Sequence, residues 1–413
     1  MRIFKFGGAS VKNAEAVKNV AHILKLNYTD QLVVVVSAMG KTTNLLESIL
    51  YASRTEIAET HLQEFKRFHL EISQNLGISE QVEKFVEERI SEIRQTLKAE
   101  KNEFKKYDSI VSHGELTSTF IISKYLDYQN LTNSWLDVRG LIKTTDSHKN
   151  ANVNWESSVK NLATHKKLFG SSKLIITQGF IGSAENGMTT TLGREGSDFS
   201  AAILAYLLDA ESVTIWKDVD GMLNADPRFF ENTIKLDEVS YREAIELAYF
   251  GASVIHPKTV KPLENKNIPL YVKSFFHPEN KGTVIKKRRY TQPLVPSYIL
   301  KSHQVLISIS PKDFSFIAEN HLSQIFELFS HNKISVNLMQ NSALNFSVVV
   351  DQNKINLTEF KKTLERDFYV RFNQDLELIT IRHFTSEVIE SLIGSKSVYL
   401  EQRSRNTIRL VVK

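Results

Sequence analysis

Arg194, Glu195 and Asp198 fall within five positions in the stretch TTTLGREGSDFSAA, residues 189–202, framed by Gly193 and Gly196. The residues after Asp198 are small and apolar, so the stretch reads as a loop opening directly into a helix. An arginine at such a mouth can clamp a carboxylate through two parallel N–H bonds, which a lysine cannot do. The unpaired amides of a helix start favour negative charge nearby, and Asp198 is also an ordinary N-cap candidate. Cation, anion and free amides together suit an amino-acid ligand beside a phosphate. A solvated turn is the plain alternative.

Three other loops follow runs that read as strands. In KFGGAS, adjacent Gly7 and Gly8 permit positive φ and let backbone N–H groups crowd an anion, with Lys5 as a mobile cation at the strand end. A tight turn explains the same residues, and the absence of GxxxxGK[ST] excludes a P-loop. The run Ser37 to Asn44, SAMGKTTN, leads into a helix for which Thr43 or Asn44 is an N-cap candidate. The run Ser112 to Ser118, SHGELTS, also reads as a loop entering an apolar helix, placing Glu115 in a first turn. There it complements the helix dipole or receives a substrate ammonium. Further on, Lys217, Asp218 and Gly221 precede Asp226, Pro227 and Arg228, a set able to hold a nucleotide's ribose and phosphates or to form an acidic surface loop. The histidines show no HExxH or other ligand spacing, so no protein-held metal is expected. No nucleophile–base pair stands out.

The elements that must position these loops alternate. Short β-branched runs (RIFKF, QLVVVV, SKLIITQGFIGS, SVTIWK, IPLYVKSF) are separated by helical patterns such as AEAVKNVAHILKL and FSAAILAYLL. Continuous apolar runs suit strands buried on both faces of a parallel sheet, and the alternation argues for an open α/β sheet with ligands at the carboxyl ends of the strands. Residues from about 59 to 105 are charged and helical without a strand, which reads as an inserted helical hairpin at the sheet edge, part of a lid. From Phe276 to Ser297, prolines, glycine and charge mark a linker. Beyond it the order is strand, helix, strand, strand, helix, strand, the ferredoxin-like pattern. A shorter copy follows.

The 413 residues exceed one ordinary core. There is no cysteine, so disulfides and thiolate chemistry are excluded. The formal charge of +5 is modest, and the basic run at 286–289 reads as a solvated connection. No signal peptide or membrane-length apolar run occurs. Neither nucleic-acid nor membrane binding is expected, and a cytoplasmic location fits.

In order and approximate spacing, KFGGAS, SAMGKTTNLL, GELTST, TTTLGREGSD, KDVDGMLNADPR and FGASVIHPKTVKP resemble the motifs of the aspartate kinases. The resemblance spans residues 1 to about 290, and the ferredoxin-like units, 291–373 and an abbreviated 374–413, resemble that family's ACT domains. It implies the amino-acid kinase fold, a three-layer α/β/α sandwich with a mainly parallel sheet. It also implies transfer of the γ-phosphoryl group of MgATP to the side-chain carboxylate of L-aspartate, opening the route to lysine, threonine, methionine and isoleucine. By the same resemblance Lys5 bridges the phosphates and Asp198 organises that lysine and the reacting groups. Thr43, Glu115 and Arg194 bind aspartate, Glu115 through the ammonium and Arg194 through the carboxylate that is not phosphorylated. Gly7, Gly8 and Ser10 form the phosphate loop, and Asp218 and Arg228 bind nucleotide. Mg²⁺ is expected to be held by phosphate oxygens and water.

Several positions depart from the pattern. Ala9 replaces a threonine, Glu195 a glycine, Lys217 a threonine, Leu223 a tyrosine and Ser253 a phosphate-contacting lysine. Lys217 is expected to supply some of the charge missing at 253, and Glu195 to point away from two anionic ligands. In the first ACT unit Ser335, Asn337, Asn341 and Ser342 fall at or near effector positions, with Asn337 and Ala343 replacing carboxylates, which puts lysine inhibition in doubt. ACT pairing implies a homodimer, and a chain stopping without a dehydrogenase domain implies a monofunctional enzyme. The rivals are another amino-acid kinase, for glutamate or acetylglutamate, and a non-catalytic amino-acid sensor.

Overall fold

The computed structural model describes residues 1–28, 31–252, 255–288, 295–313 and 315–413. They form two compact units, one of residues 1–222, 235–245 and 254–291, the other of 223–234, 246–253 and 292–413. Ser253 and Arg289 lie outside the described residues.

In the first unit β1 (Arg2–Phe6), α1 (Ala14–Leu26) and β2 (Leu32–Val36) are followed by four helices: α2 (Thr42–Leu50), α3 (Thr55–Asn75), α4 (Ser79–Ala99) and α5 (Glu103–Tyr128). Next come β3 (Ser134–Leu136), β4 (Lys143–Thr144), α6 (Trp155–Ser171), β5 (Leu174–Gln178), β6 (Ile181–Ala184), β7 (Thr189–Thr191), α7 (Gly196–Leu207) and β8 (Ser212–Lys217). After the short β9 (Met222–Leu223), β10 (Lys235–Leu236) and β11 (Glu238–Ser240) come α8 (Tyr241–Phe250), α9 (Pro257–Lys266), β12 (Leu270–Ser274) and β13 (Thr283–Lys286). The eight-stranded sheet has the order β11-β13-β12-β8-β1-β2-β5-β3. Its one antiparallel pair among those described is β12 with β13. Lys5 is in register with Val35 on one side and Ile215 on the other. The carboxyl ends of β2, β1 and β8 therefore lie side by side, and the loops after them share one crevice.

Three expectations change here. SKLIITQGFIGS is two strands in different sheets, because Phe180 takes a left-handed φ of 68° between them. The helical pair begins at Thr55 and is no edge appendage: Leu62, Phe65, Val82, Val86 and Ile90 join the core that holds Phe4, Phe6, Val34 and Val36. Burial of each such side chain stabilises the fold by roughly 1.5–3 kcal/mol. The segment 276–297 is not all linker, since TVIK alternates and pairs as β13. The basic run begins on that strand, where Lys286 (3.0 Å) and Arg288 both pair with Glu238.

The second unit is built from β14 (Ser297–Pro311), α10 (Glu319–His331), β15 (Val336–Asn341), β16 (Phe346–Asp351), α11 (Leu357–Leu364), β17 (Phe368–Arg382), α12 (Ser386–Ile393), β18 (Val398–Arg403) and β19 (Thr407–Val412). All six strands form one sheet, β15-β16-β14-β17-β19-β18. β14 and β17 are each 15 residues long and serve both ferredoxin-like modules. Ser297–Lys301 pairs with Leu378–Arg382, and after a bulge Gln304–Pro311 pairs with Phe368–Leu376. The expected boundary at 373/374 therefore falls inside a strand. The second module is short in sequence because one of its strands is the first half of β14, placed ahead of the first module.

Candidate active site

Two loops zip together over the strand ends. Ser37 N donates to Phe6 O (3.1 Å) and Gly40 N to Gly8 O (3.0 Å). A Cβ at Gly8 would sit 2.8 Å from Ala38 O, so glycine is required by close approach. Positive φ is not the reason in this loop: Gly7 has φ −80°, and it is Gly40 that is left-handed, at φ 54°. Thr43 lies in the first turn of α2 but is not its cap, which is Lys41 without a side-chain bond.

Asp198 is the third residue of α7 rather than its N-cap; Glu195 holds that place with φ 54°. In a first turn the amide dipoles favour the carboxylate. Lys5 Nζ lies 2.5 Å from Asp198 Oδ1, with the two side chains only 10% and 4% exposed, as an ion pair without hydrogen-bond alignment. Lys217 Nζ is 3.8 Å from Asp198 Oδ2. Two lysines from adjacent strand ends thus converge on one buried carboxylate.

Glu115 lies in the interior of the 26-residue α5, not in a loop, so a helix-start dipole has no part in its chemistry. Gly114 beside it allows the helix to approach: a Cβ there would be 2.9 Å from the Ala38 Cβ. Glu115 Oε1 accepts from Ala38 N at 3.3 Å, whereas Oε2 is buried without any hydrogen-bond partner. Burial pushes this carboxyl up to about 8, with the Ala38 amide opposing only in part. A carboxylate oxygen desolvated and unpaired is costly by itself and is a receptor for a cation.

Lys5, Gly8, Thr43, Glu115, Arg194, Asp198 and Lys217 line a single cleft of about 540 Å³ in the first unit, a size suited to small molecules. Arg194 is exposed and makes no hydrogen bond or ion pair among the described residues. Glu195 is also among the residues lining the cleft, and its Oε2 is buried and unpartnered. Other predicted residues are not part of the lining. Ser10 is buried in the short 3-10 helix that follows Gly7, and Asp218 is exposed. Arg228 belongs to the second unit, its guanidinium on Asp226 at 2.5 Å. The cleft also includes Phe180, Ser197, Tyr107 and Lys149, none of which sequence reasoning singled out.

A buried carboxylate outside the cleft joins its walls. Asp108, on α5 two turns before Glu115, accepts from Thr191 Oγ1 (2.7 Å) and from Lys149 N (3.0 and 3.1 Å), and lies 2.7 Å from His148 Nδ1. It ties the helix bearing Glu115 to the strand leading to Arg194. Burial raises its affinity for a proton, and these hydrogen bonds oppose that shift.

Residues 1–274 match the model of the amino acid kinase family. The chain belongs to this family. Lysine-sensitive aspartokinase 3 of Escherichia coli (strain K12) is 32% identical over 353 residues, covering 84% of this chain and 78% of that protein. A crystal structure of E. coli aspartokinase III in complex with lysine and aspartate (T-state) covers all of this chain and 96% of the other, at 27% identity and a TM-score of 0.87. The same enzyme in complex with aspartate and ADP (R-state) gives 26% and 0.84 at the same coverage. Among the described residues no helix is long and apolar enough to cross a membrane.

The predicted effector residues divide. Asn341 and Ser342 line an open groove of about 1140 Å³ in the second unit whose lining holds no buried ionisable group. Ser335 is exposed just before β15 and outside that lining. The Asn337 side chain is already engaged, donating to Gln304 Oε1 and Asp351 Oδ1 (both 2.8 Å) and accepting from Lys301 Nζ (2.9 Å). Both N–H donors of that amide are therefore committed within the unit, and its oxygen already holds one partner.

Proposed function

We infer that the chain is an ATP-dependent aspartate kinase, transferring the γ-phosphoryl group to the side-chain carboxylate of L-aspartate. The observation that carries this reading is the unpaired, buried Glu115 Oε2 in one cleft with an unpaired Arg194 and the Lys5–Asp198 pair. A zwitterion with an ammonium for Glu115 and a carboxylate for Arg194 fills the first two, and its second carboxylate then faces Lys5. Phosphoryl transfer asks mainly for positioning and for charge on the moving oxygens. Lys5 supplies that charge when the incoming phosphate competes with Asp198 for its ammonium; Lys217 shares the task. Asp198 keeps the Lys5 ammonium aimed between substrates. Gly8 and Gly40 bring backbone amides close to the phosphates, and Thr43 offers a hydroxyl to the amino acid.

Among the described residues no group of three or more His, Asp or Glu could hold a metal ion. A Mg²⁺ would enter with the nucleotide's phosphates and be held by their oxygens and water, with Asp198 as a carboxylate of the same cleft. When bound, that ion neutralises phosphate charge. Nucleotide contacts at Asp218 and Arg228, a homodimer, a cytoplasmic setting and amino-acid feedback through the second unit belong to the same reading. The test is ATP-dependent hydroxamate formation with aspartate, glutamate and acetylglutamate. Aspartate is expected to be the substrate; turnover of another acid alone, or amino-acid binding with no ADP release, would replace this reading by a rival kinase or a sensor.

A further inference from the structure

Lys149 was not among the residues marked by sequence, yet it lines the cleft and the fold goes to some expense to place it there. Its backbone is left-handed, φ 67°, a conformation unfavourable for a non-glycine residue. The conformation is held because the buried Asp108 carboxylate takes its N–H at 3.0 and 3.1 Å. The same carboxylate holds Thr191, three residues before Arg194. The Lys149 carbonyl lies 3.4 Å, and the Asn150 side-chain oxygen 2.6 Å, from where a Gly193 Cβ would be. Lys149 is thus packed against the loop carrying Arg194, whereas Lys5 and Lys217 converge on Asp198.

The ammonium itself is held lightly. Nζ lies 4.6 Å from the Tyr107 ring centroid, 5.0 Å from Phe104 and 5.9 Å from Tyr51, and donates to Tyr51 Oη at 3.1 Å. It pairs with no carboxylate among the described residues. Ring faces hold an ammonium less strongly than a charged hydrogen bond to a carboxylate does. An entering carboxylate can therefore draw the ammonium from its cage. The aromatic faces keep the flexible side chain near the wall meanwhile, so less rotamer freedom is lost on binding.

We propose that Lys149 is a second cationic residue of the amino-acid subsite, binding together with Arg194 the substrate carboxylate that is not phosphorylated. The inference rests on the aspartate kinase reading. Wild-type turnover of aspartate tests that reading; the Lys149 variants test this one. Lys149→Met keeps an apolar stem in the cage and removes the charge, and Lys149→Arg keeps the charge. The measurements are the aspartate and ATP KM values, with the aspartate Kd by calorimetry on the full chain without nucleotide. Lys149→Met is expected to raise aspartate KM and Kd about tenfold or more, with ATP KM within about twofold and Lys149→Arg recovering most of the loss. An unchanged aspartate Kd in Lys149→Met, or a rise confined to ATP KM, would overturn the proposal. So would equal losses in both KM values with a lowered melting temperature, since that marks the caged lysine as a structural staple.

Discussion

Replacing Glu115 by glutamine separates two consequences of one buried carboxyl. The folded state lifts it from an ordinary 4.5 to about 8. Between those values the folded protein holds a proton that the unfolded chain releases, so raising the pH favours unfolding. The lost stability accumulates at about 1.4 kcal/mol per pH unit and levels off above the folded value. From pH 5 to pH 7 the wild type should lose about 2–3 kcal/mol relative to Glu115→Gln, whose amide does not titrate. Denaturant midpoints of both proteins across pH 5 to 8 measure the difference. Aspartate binding supplies the complementary signal. The substrate ammonium stabilises the ionised carboxylate, so binding at pH 7 should release about 0.9 proton, read by calorimetry in buffers of different ionisation enthalpy. Glu115→Gln should release none and bind aspartate about a hundredfold more weakly. Parallel stability curves, together with wild-type binding that releases no proton, would refute the assignment of Glu115 as a desolvated, unpaired ammonium receptor.

Lys217→Ala removes one of two cations on Asp198 and should raise the ATP KM about tenfold; an unchanged KM would remove Lys217 from the phosphate site. Glu195→Gly relieves a left-handed non-glycine backbone and removes an unpartnered buried oxygen. It should therefore raise the melting temperature by an amount matching about 1 kcal/mol, with turnover near the wild-type value. Asp108→Ala leaves the Lys149 amide and the Thr191 hydroxyl without their acceptor. It should cost about 3–5 kcal/mol of stability and, in protein that remains folded, raise aspartate KM more than ATP KM.

The cleft residues legible in the sequence share one property: each belongs to a short stretch whose own composition betrays it. Lys5, Thr43, Arg194 and Asp198 sit beside glycines at the ends of apolar runs, where parallel strands deliver their loops to one edge. Glu115 was legible as a residue and misread as structure, because Gly114 looks like a turn while serving helix-to-loop packing against Ala38. Asp108 gave no signal. Its partners are 40 positions away at His148 and 83 at Thr191, and a lone carboxylate in a helical pattern looks solvated.

The sequence by itself determined the alternation of strands and helices, the loops that carry charge, and the family. Those follow from local periodicity and from glycines whose need is written into neighbouring residues. Tertiary structure decided what no local pattern encodes. Burial made Glu115 a proton-holding carboxyl with an empty oxygen. Convergence of strand ends put two lysines on Asp198. A strand placed ahead of the first ferredoxin-like module completed the second. Desolvation, ion pairing and strand exchange depend on which distant segments meet, and only the folded chain brings them together.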